Sequence, residues 1–205
     1  MSDVQQVFSD IFENKSWGPG ESVSGPGSSR HQTHHLIHAL PRLLAEFGVK
    51  SMLDLPCGDY NWMQYVNLDG IDYQGGDIVE ELIARNKNLE RPGVRFEVMN
   101  ILTSELPKVD LIFTRDCLVH LSLSQVIEVL RNVKRSGATW FLTTTFPGHE
   151  TNPDIRTGDW RPLNLELAPL SFPRPERYLF EFCSESNNQF RDKCLGLWRV
   201  DSIPV

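Results

Sequence analysis

The 205-residue chain has only four cysteines (Cys57, Cys117, Cys183 and Cys194), and no two of them have C-x-x-C spacing. That excludes a zinc ribbon or a redox dithiol and reads as reduced thiols in a cytoplasmic protein. Positive charge is in deficit: 20 Lys and Arg stand against 27 Asp and Glu, a formal net charge of −7. A nucleic-acid partner, which calls for a basic face, is therefore not expected. No apolar run approaches the roughly 20 residues that span a bilayer. The opening "MSDVQQVFSDIFENK" has neither the basic start nor the apolar block of a secretory signal. There is no internal repeat and no low-complexity tract. Nor is there a G-x-G-x-x-G, so the pyrophosphate cradle of a dinucleotide enzyme is missing.

What is present is alternation of strand-like and helix-like segments. "SMLDL", "DYQGGDI", "VRFEVMN", "VDLIFT" and "TWFLTTTF" read as strands. "HLIHALPRLLAEFG" sets Leu36, Leu40, Leu43 and Phe47 on one helical face, with Pro41 as a kink and Gly48 as the stop. "YNWMQYV" and "VEELIARNKNLE" read as helices. In "SLSQVIEVLRNVKRSG" the stripe is Val126, Val129, Leu130 and Val133, with Ser122 as cap and Gly137 as terminator. "ERYLFEFC" and "CLGLWRV" have no helix between them and pair as a hairpin. The expectation is an α/β fold, a single Rossmann-like domain over 1–205. Its sheet is mostly parallel, with helices on both faces and a C-terminal antiparallel hairpin. Residues 1–49 form an N-terminal helix and loop cap, 50–146 a core, 147–175 a proline-rich substrate loop and 176–205 the final strands.

Ligands of open α/β sheets bind beyond the carboxyl ends of the strands. Those ends read Asp54-Leu-Pro-Cys-Gly58, Gly75-Gly76-Asp77, Met99-Asn100-Ile101 and Thr114-Arg115-Asp116. Asp77 falls about 20 positions after Asp54, the spacing at which a second-strand carboxylate meets a ribose. Gly58 lets the backbone approach a ligand closely. A single glycine in this turn suits a nucleoside without phosphates.

In order, "LDLPCGDYNW", "YQGGDI", "VMNILTSELPKVDLIF" and "RDCLVHLS" resemble the motifs of class I S-adenosylmethionine methyltransferases. The resemblance covers roughly residues 50–146. "SGPGSS" and "WRPLNLELAPLSFP" are similar to a bacterial and viral branch associated with glycan decoration, including sugar O-methylation. The resemblance implies that Asp54, Pro56 and Gly58 hold the methionine end of the cofactor, Asp77 the ribose, Ile78, Asn100 and Ile101 the adenine, and that Arg115 closes the pocket. Pro56 and Tyr60 occupy glycine positions of the first motif, and Asn100 stands where the family often has Asp.

Methyl transfer needs an aligned nucleophile, and a sugar hydroxyl also needs a base. Asp116, after the fourth strand, is the first candidate; His120 and His149 are the others. Each has a structural alternative: a helix-start carboxylate, a packing histidine and a solvated loop histidine. Trp160 and Arg161 are candidates for stacking on and gripping the acceptor, with Trp17 and the Ser28 end of "SGPGSS" as further contacts. The same residues also serve as loop anchors. Asp116, Glu150 and Asp154 are hard oxygen donors that would suit Mg²⁺. His31, His34 or His35, and His38 share a helical face, which reads better as solvated than as a zinc site. Other readings are a methyltransferase acting on a small carboxylate or thiol, a nucleoside-binding protein without catalysis, and a dinucleotide oxidoreductase.

Overall fold

Seven short apolar segments form the strands of a mixed, mostly parallel sheet with helices and an antiparallel C-terminal hairpin, as the alternation predicts. A computed structural model describes residues 3–18 and 20–205. The first two residues of the expected N-terminal cap, and its Pro19, lie outside the described residues. The chain divides into two compact units, Met1–Asn100 and Ile101–Val205.

In the first unit, β1 (Ser51–Asp54), β2 (Asp72–Asp77) and β3 (Val94–Val98) run parallel in the order β3-β2-β1. Helix α1 is Asp3–Glu13, α2 is Arg30–Glu46 and α3 is Glu80–Asn86. Ser29 caps α2 by accepting from the Gln32 amide. The helix buries Thr33, Leu36, Leu40, Leu43 and Leu44 and continues through Pro41. Leu44 rather than Phe47 completes the stripe, because Phe47 is already the C-cap. The expected "YNWMQYV" helix is reduced to a single tight turn, Met63–Tyr65. Gly58 and Tyr60 both lie in the left-handed region (φ 56° each), so no helical start forms there. Tyr60, Tyr73 and Phe96 instead pack as an aromatic cluster with centroids 5.0–6.1 Å apart.

In the second unit, β4 (Leu111–Thr114) and β5 (Trp140–Thr145) are parallel, and β7 (Cys194–Arg199) lies antiparallel between β5 and β6 (Arg177–Phe180). Helix α4, Leu123–Ser136, is capped by Ser122 and closed by Gly137 at φ 69°. The segment from Phe146 to Pro175 contains no helix or strand, yet Leu163, Leu165, Leu170 and Phe172 are buried. Its backbone is pinned at intervals. The Phe146 amide donates to the Leu163 carbonyl (3.0 Å), the Leu165 amide to Thr145 Oγ1 (3.1 Å), and the Trp198 indole to the Pro173 carbonyl (2.7 Å).

The outer edge of the Trp198 ring lies against Gly196, two residues earlier on the same face of β7. A Cβ at Gly196 would stand 2.1 Å from Cη2 of that ring, and strands on either side leave it nowhere to go. Gly196→Ala is expected to lower stability by about 1–3 kcal/mol in urea denaturation. An unchanged midpoint would refute this packing.

Candidate functional site

In the first unit, the functional candidates gather at the carboxyl ends of β1 and β2. Asp77 ends β2 and is 5% exposed. Its Oδ2 accepts the Gly58 amide (3.0 Å) and its Oδ1 the Val79 amide (2.9 Å). The Cys57 amide donates to the Gly76 carbonyl (2.7 Å), and Asn86 Nδ2 donates to the Gly58 carbonyl (2.8 Å). The turn after β1 is thus laced to the end of β2 from both sides. Burial pushes the Asp77 carboxyl up to about 6, although the amide donations pull it down. Asp54 lies beneath the turn, 3% exposed, accepting from the Tyr73 hydroxyl at 2.6 Å. Ile78 and Asn100 are half-buried beside Asp77 and β3 respectively. Pro56, also half-buried, occupies the same turn.

Over this turn lies a strap, residues 22–28, that includes most of "SGPGSS". Ser22 Oγ and the Val23 amide both donate to Asp59 (2.9 Å each), and Asn61 Nδ2 reaches the Ser28 carbonyl (3.2 Å). A Cβ on Gly58 would fall 2.2 Å from Ser24 Oγ, so only glycine admits the strap. Ser28 takes part through its backbone. Trp17 packs beside the Phe8 ring (6.3 Å) and against Gly25, which is the loop-anchor alternative.

In the second unit, the carboxyl end of β4 carries a buried network of four charges. Arg115 pairs with Glu181 (2.6 Å) and Asp116 (3.2 Å), and Lys193 pairs with Asp116 (2.6 Å) and Glu181 (3.5 Å). Asp116 stands at φ 52°, with its amide donating to Thr144 Oγ1 (2.8 Å). Burial would raise its pKa, but Arg115 and Lys193 overcome this and hold it well below the usual carboxylate range. Such a carboxylate is a weak proton acceptor. Arg115 was expected to close a cofactor pocket, but its guanidinium is held instead by two carboxylates. Glu181, Lys193 and Thr144 were missed because they come from distant segments, and nothing in "NNQFRDK" marks a buried lysine.

His120 sits in the turn before α4, and its Nδ1 lies 2.8 Å from the Asp159 carbonyl. A carbonyl only accepts, so Nδ1 carries the proton and Nε2 is the basic nitrogen. Burial lowers the His120 pKa and keeps the ring neutral. Ile101 is buried, its carbonyl accepting from Asn132 (2.9 Å).

Arg161 requires a correction: it does not reach out to an acceptor. It is 3% exposed, and its guanidinium donates to the carbonyls of Pro153, Leu118 and Leu121 (2.9–3.0 Å). It clamps the long loop to the segment that carries His120. The Mg²⁺ donors also fail to assemble. Asp154 accepts the Leu123 and Ile155 amides at the start of α4, Asp116 is neutralised by its cations, and no metal-ligating group of three occurs among the described residues. The four histidines of α2 are exposed, with the His34 and His38 rings edge-on at 5.0 Å. His149 and Trp160 stand in one aromatic group after β5: Trp160 is 42% exposed, 6.0 Å from Phe146 and 4.8 Å from Phe190. No described helix is long and apolar enough to cross a membrane.

No protein-family model matches the chain, and no curated protein matches it. Among solved structures, magnesium protoporphyrin IX methyltransferase (ChlM) from Synechocystis PCC 6803 with bound SAM is similar at TM-score 0.63 and 13% identity, over 97% of this chain and 98% of that one. The same enzyme with bound SAH gives TM-score 0.62 and 12% identity, over 95% and 98%. An S-adenosylmethionine-dependent methyltransferase from Mesorhizobium loti is 24% identical at TM-score 0.43, over 52% of this chain and 51% of that one. The chain spans about half the length of several of the structures it matches. At these identities the likeness establishes the fold: the Rossmann-like fold of methyltransferases.

Lys193 is the keystone of the charge network. Lys193→Met leaves Asp116 and Glu181 sharing one cation and should destabilise the protein by about 3 kcal/mol in thermal or urea unfolding. A variant as stable as the wild type would show that the network is dispensable.

Proposed function

We propose that the protein is an S-adenosylmethionine-dependent methyltransferase that O-methylates a sugar hydroxyl. The observation that carries the cofactor reading is Asp77. Its buried carboxylate is braced by two backbone amides at the end of the second parallel strand, in a fold like that of a methyltransferase solved with SAM bound. Its ionised oxygens are the hydrogen-bond acceptors that a ribose diol calls for. The Asp54–Gly58 turn would take the methionine end, and Ile78, Asn100 and Ile101 the adenine. S-adenosylmethionine supplies a methyl group activated by its sulfonium.

His120 is the proton acceptor that the geometry favours. Asp159 fixes its tautomer so that Nε2 is the basic nitrogen, and burial lowers its pKa, which favours the neutral ring. Asp116, the first candidate from sequence, is better suited to an electrostatic role: ionised and neighbouring His120, it stabilises the imidazolium formed when the proton arrives. His149 lies further along, after β5, as a wall residue. A net charge of −7 suits an acceptor that is not a polyanion.

The fold favours the protonated form of Asp77, so this group stabilises the ligand-free protein at acid pH and loses that contribution as pH rises through about 6. Accepting from two ribose hydroxyls requires the ionised form. SAM affinity measured calorimetrically should therefore fall up to tenfold per pH unit below about 6, and Asp77→Asn should bind weakly with a flat profile from pH 5 to 7. A flat wild-type profile would refute the ribose assignment. His120→Gln should lower kcat at least 100-fold while leaving SAM affinity within twofold; full turnover would remove His120 as the base.

A further inference from the structure

Four rings meet after β5: Phe146, His149, Trp160 and Phe190. Phe190 stacks against His149 (6.3 Å between centroids, 30° between planes) and meets Trp160 edge-on at 4.8 Å, while Phe146 lies behind at 5.7–6.0 Å. Trp160 remains 42% exposed. At the edge of the group stands the Asp192 carboxylate, its Oδ2 accepting the Gly148 amide (2.9 Å) and its Oδ1 3.9 Å from His149 Nε2. Phe190 and Asp192 both come from the 181–193 connection between β6 and β7. That connection holds Phe182, Ser186, Asn187 and Asn188 at positive φ (48–66°), a strained path of the kind kept at functional loops.

The wall is fixed to the catalytic histidine. The Gly158 amide donates to the His120 carbonyl (2.9 Å), the Asp159 carbonyl faces His120 Nδ1, and the Arg161 amide donates to the Val119 carbonyl (3.1 Å). Trp160 lies within this ladder, so its ring is held at a set distance from the proposed base.

We propose that Trp160, Phe190 and His149, with Asp192 at their edge, form the acceptor site, and that the 181–193 connection selects a pyranoside ring over an anionic acceptor. The proposal rests on the methyltransferase reading above. Aromatic faces pack against the C–H surface of a sugar ring, and a carboxylate at their edge accepts its hydroxyls. A carboxylate acceptor would instead meet Asp192. The buried cations of this unit do not offset that repulsion: Arg115 and Lys193 are held by Asp116 and Glu181, and Arg161 by three carbonyls.

The test follows the indole N–H resonance of Trp160, assigned by its loss in Trp160→Phe, in the full chain with and without SAH. The ligands are methyl glycosides of glucose, rhamnose and fucose, with benzoate as comparator. At least one glycoside should shift the resonance, and Phe190→Ala and Asp192→Asn should each weaken that glycoside at least fivefold while SAH affinity stays within twofold. Asp192→Asn keeps an acceptor for the Gly148 amide and so tests the charge without removing that tie. The proposal is overturned if no glycoside shifts the resonance, if benzoate binds more tightly, or if both variants bind as the wild type does. Should SAH fail to bind the wild type, the methyltransferase reading falls, and the glycoside titration without SAH still decides the fate of the wall.

Discussion

The candidate cofactor site depends on one carboxylate, Asp77, taking amide protons from two directions. Through Gly58 it holds the turn after β1, and through Val79 it holds the entry to α3. Both bonds need an ionised or at least acceptor-rich group, yet the surroundings are nearly dry and oppose ionisation. The outcome is a group poised between states. A polyol sharing its charge would relieve an unfavourable burial, so a charged carboxylate here would favour such a ligand over water.

The second unit resolves the same conflict in the opposite way. Its charges are brought together until they neutralise each other: Arg115 and Lys193 opposite Asp116 and Glu181. Buried pairs of this kind add little net stability and much geometric definition. Here the definition fixes a strained residue, Asp116, and joins the β6–β7 connection to the end of β4. The unit thereby keeps an ionised carboxylate near His120, whose own tautomer is set by the polypeptide through Asp159.

How much of this was legible in the sequence depended on range. Elements whose signals are local read well. The α4 stripe with its Ser122 cap and Gly137 stop, the five apolar strands and the final hairpin all appear where periodicity placed them. "YNWMQYV" misread because periodicity does not reveal a left-handed tyrosine at position 60. Pro41 misread for a related reason: packing of Leu40, Leu43 and Leu44 carries α2 past its missing amide. Arg115, Arg161 and Asp116 were legible as charged residues at strand and loop ends, but their roles turn on partners as far as 77 positions away. Glu181 and Lys193 carry no local mark, so no reading of one segment identifies them.

The Arg161 clamp bears on how such a protein diversifies. One guanidinium stitches Pro153 to Leu118 and Leu121, so the proline-rich segment and the histidine turn form one rigid piece. Length changes there would displace His120 together with the loop. The connection bearing Phe190 and Asp192 is held through side chains: Glu181 and Lys193 at its ends, Asp192 on the Gly148 amide and Phe190 among the rings. Evolution or design in search of new chemistry on the same framework has its freedom in that hairpin tip, where residues can be exchanged while the His120 turn stays in register.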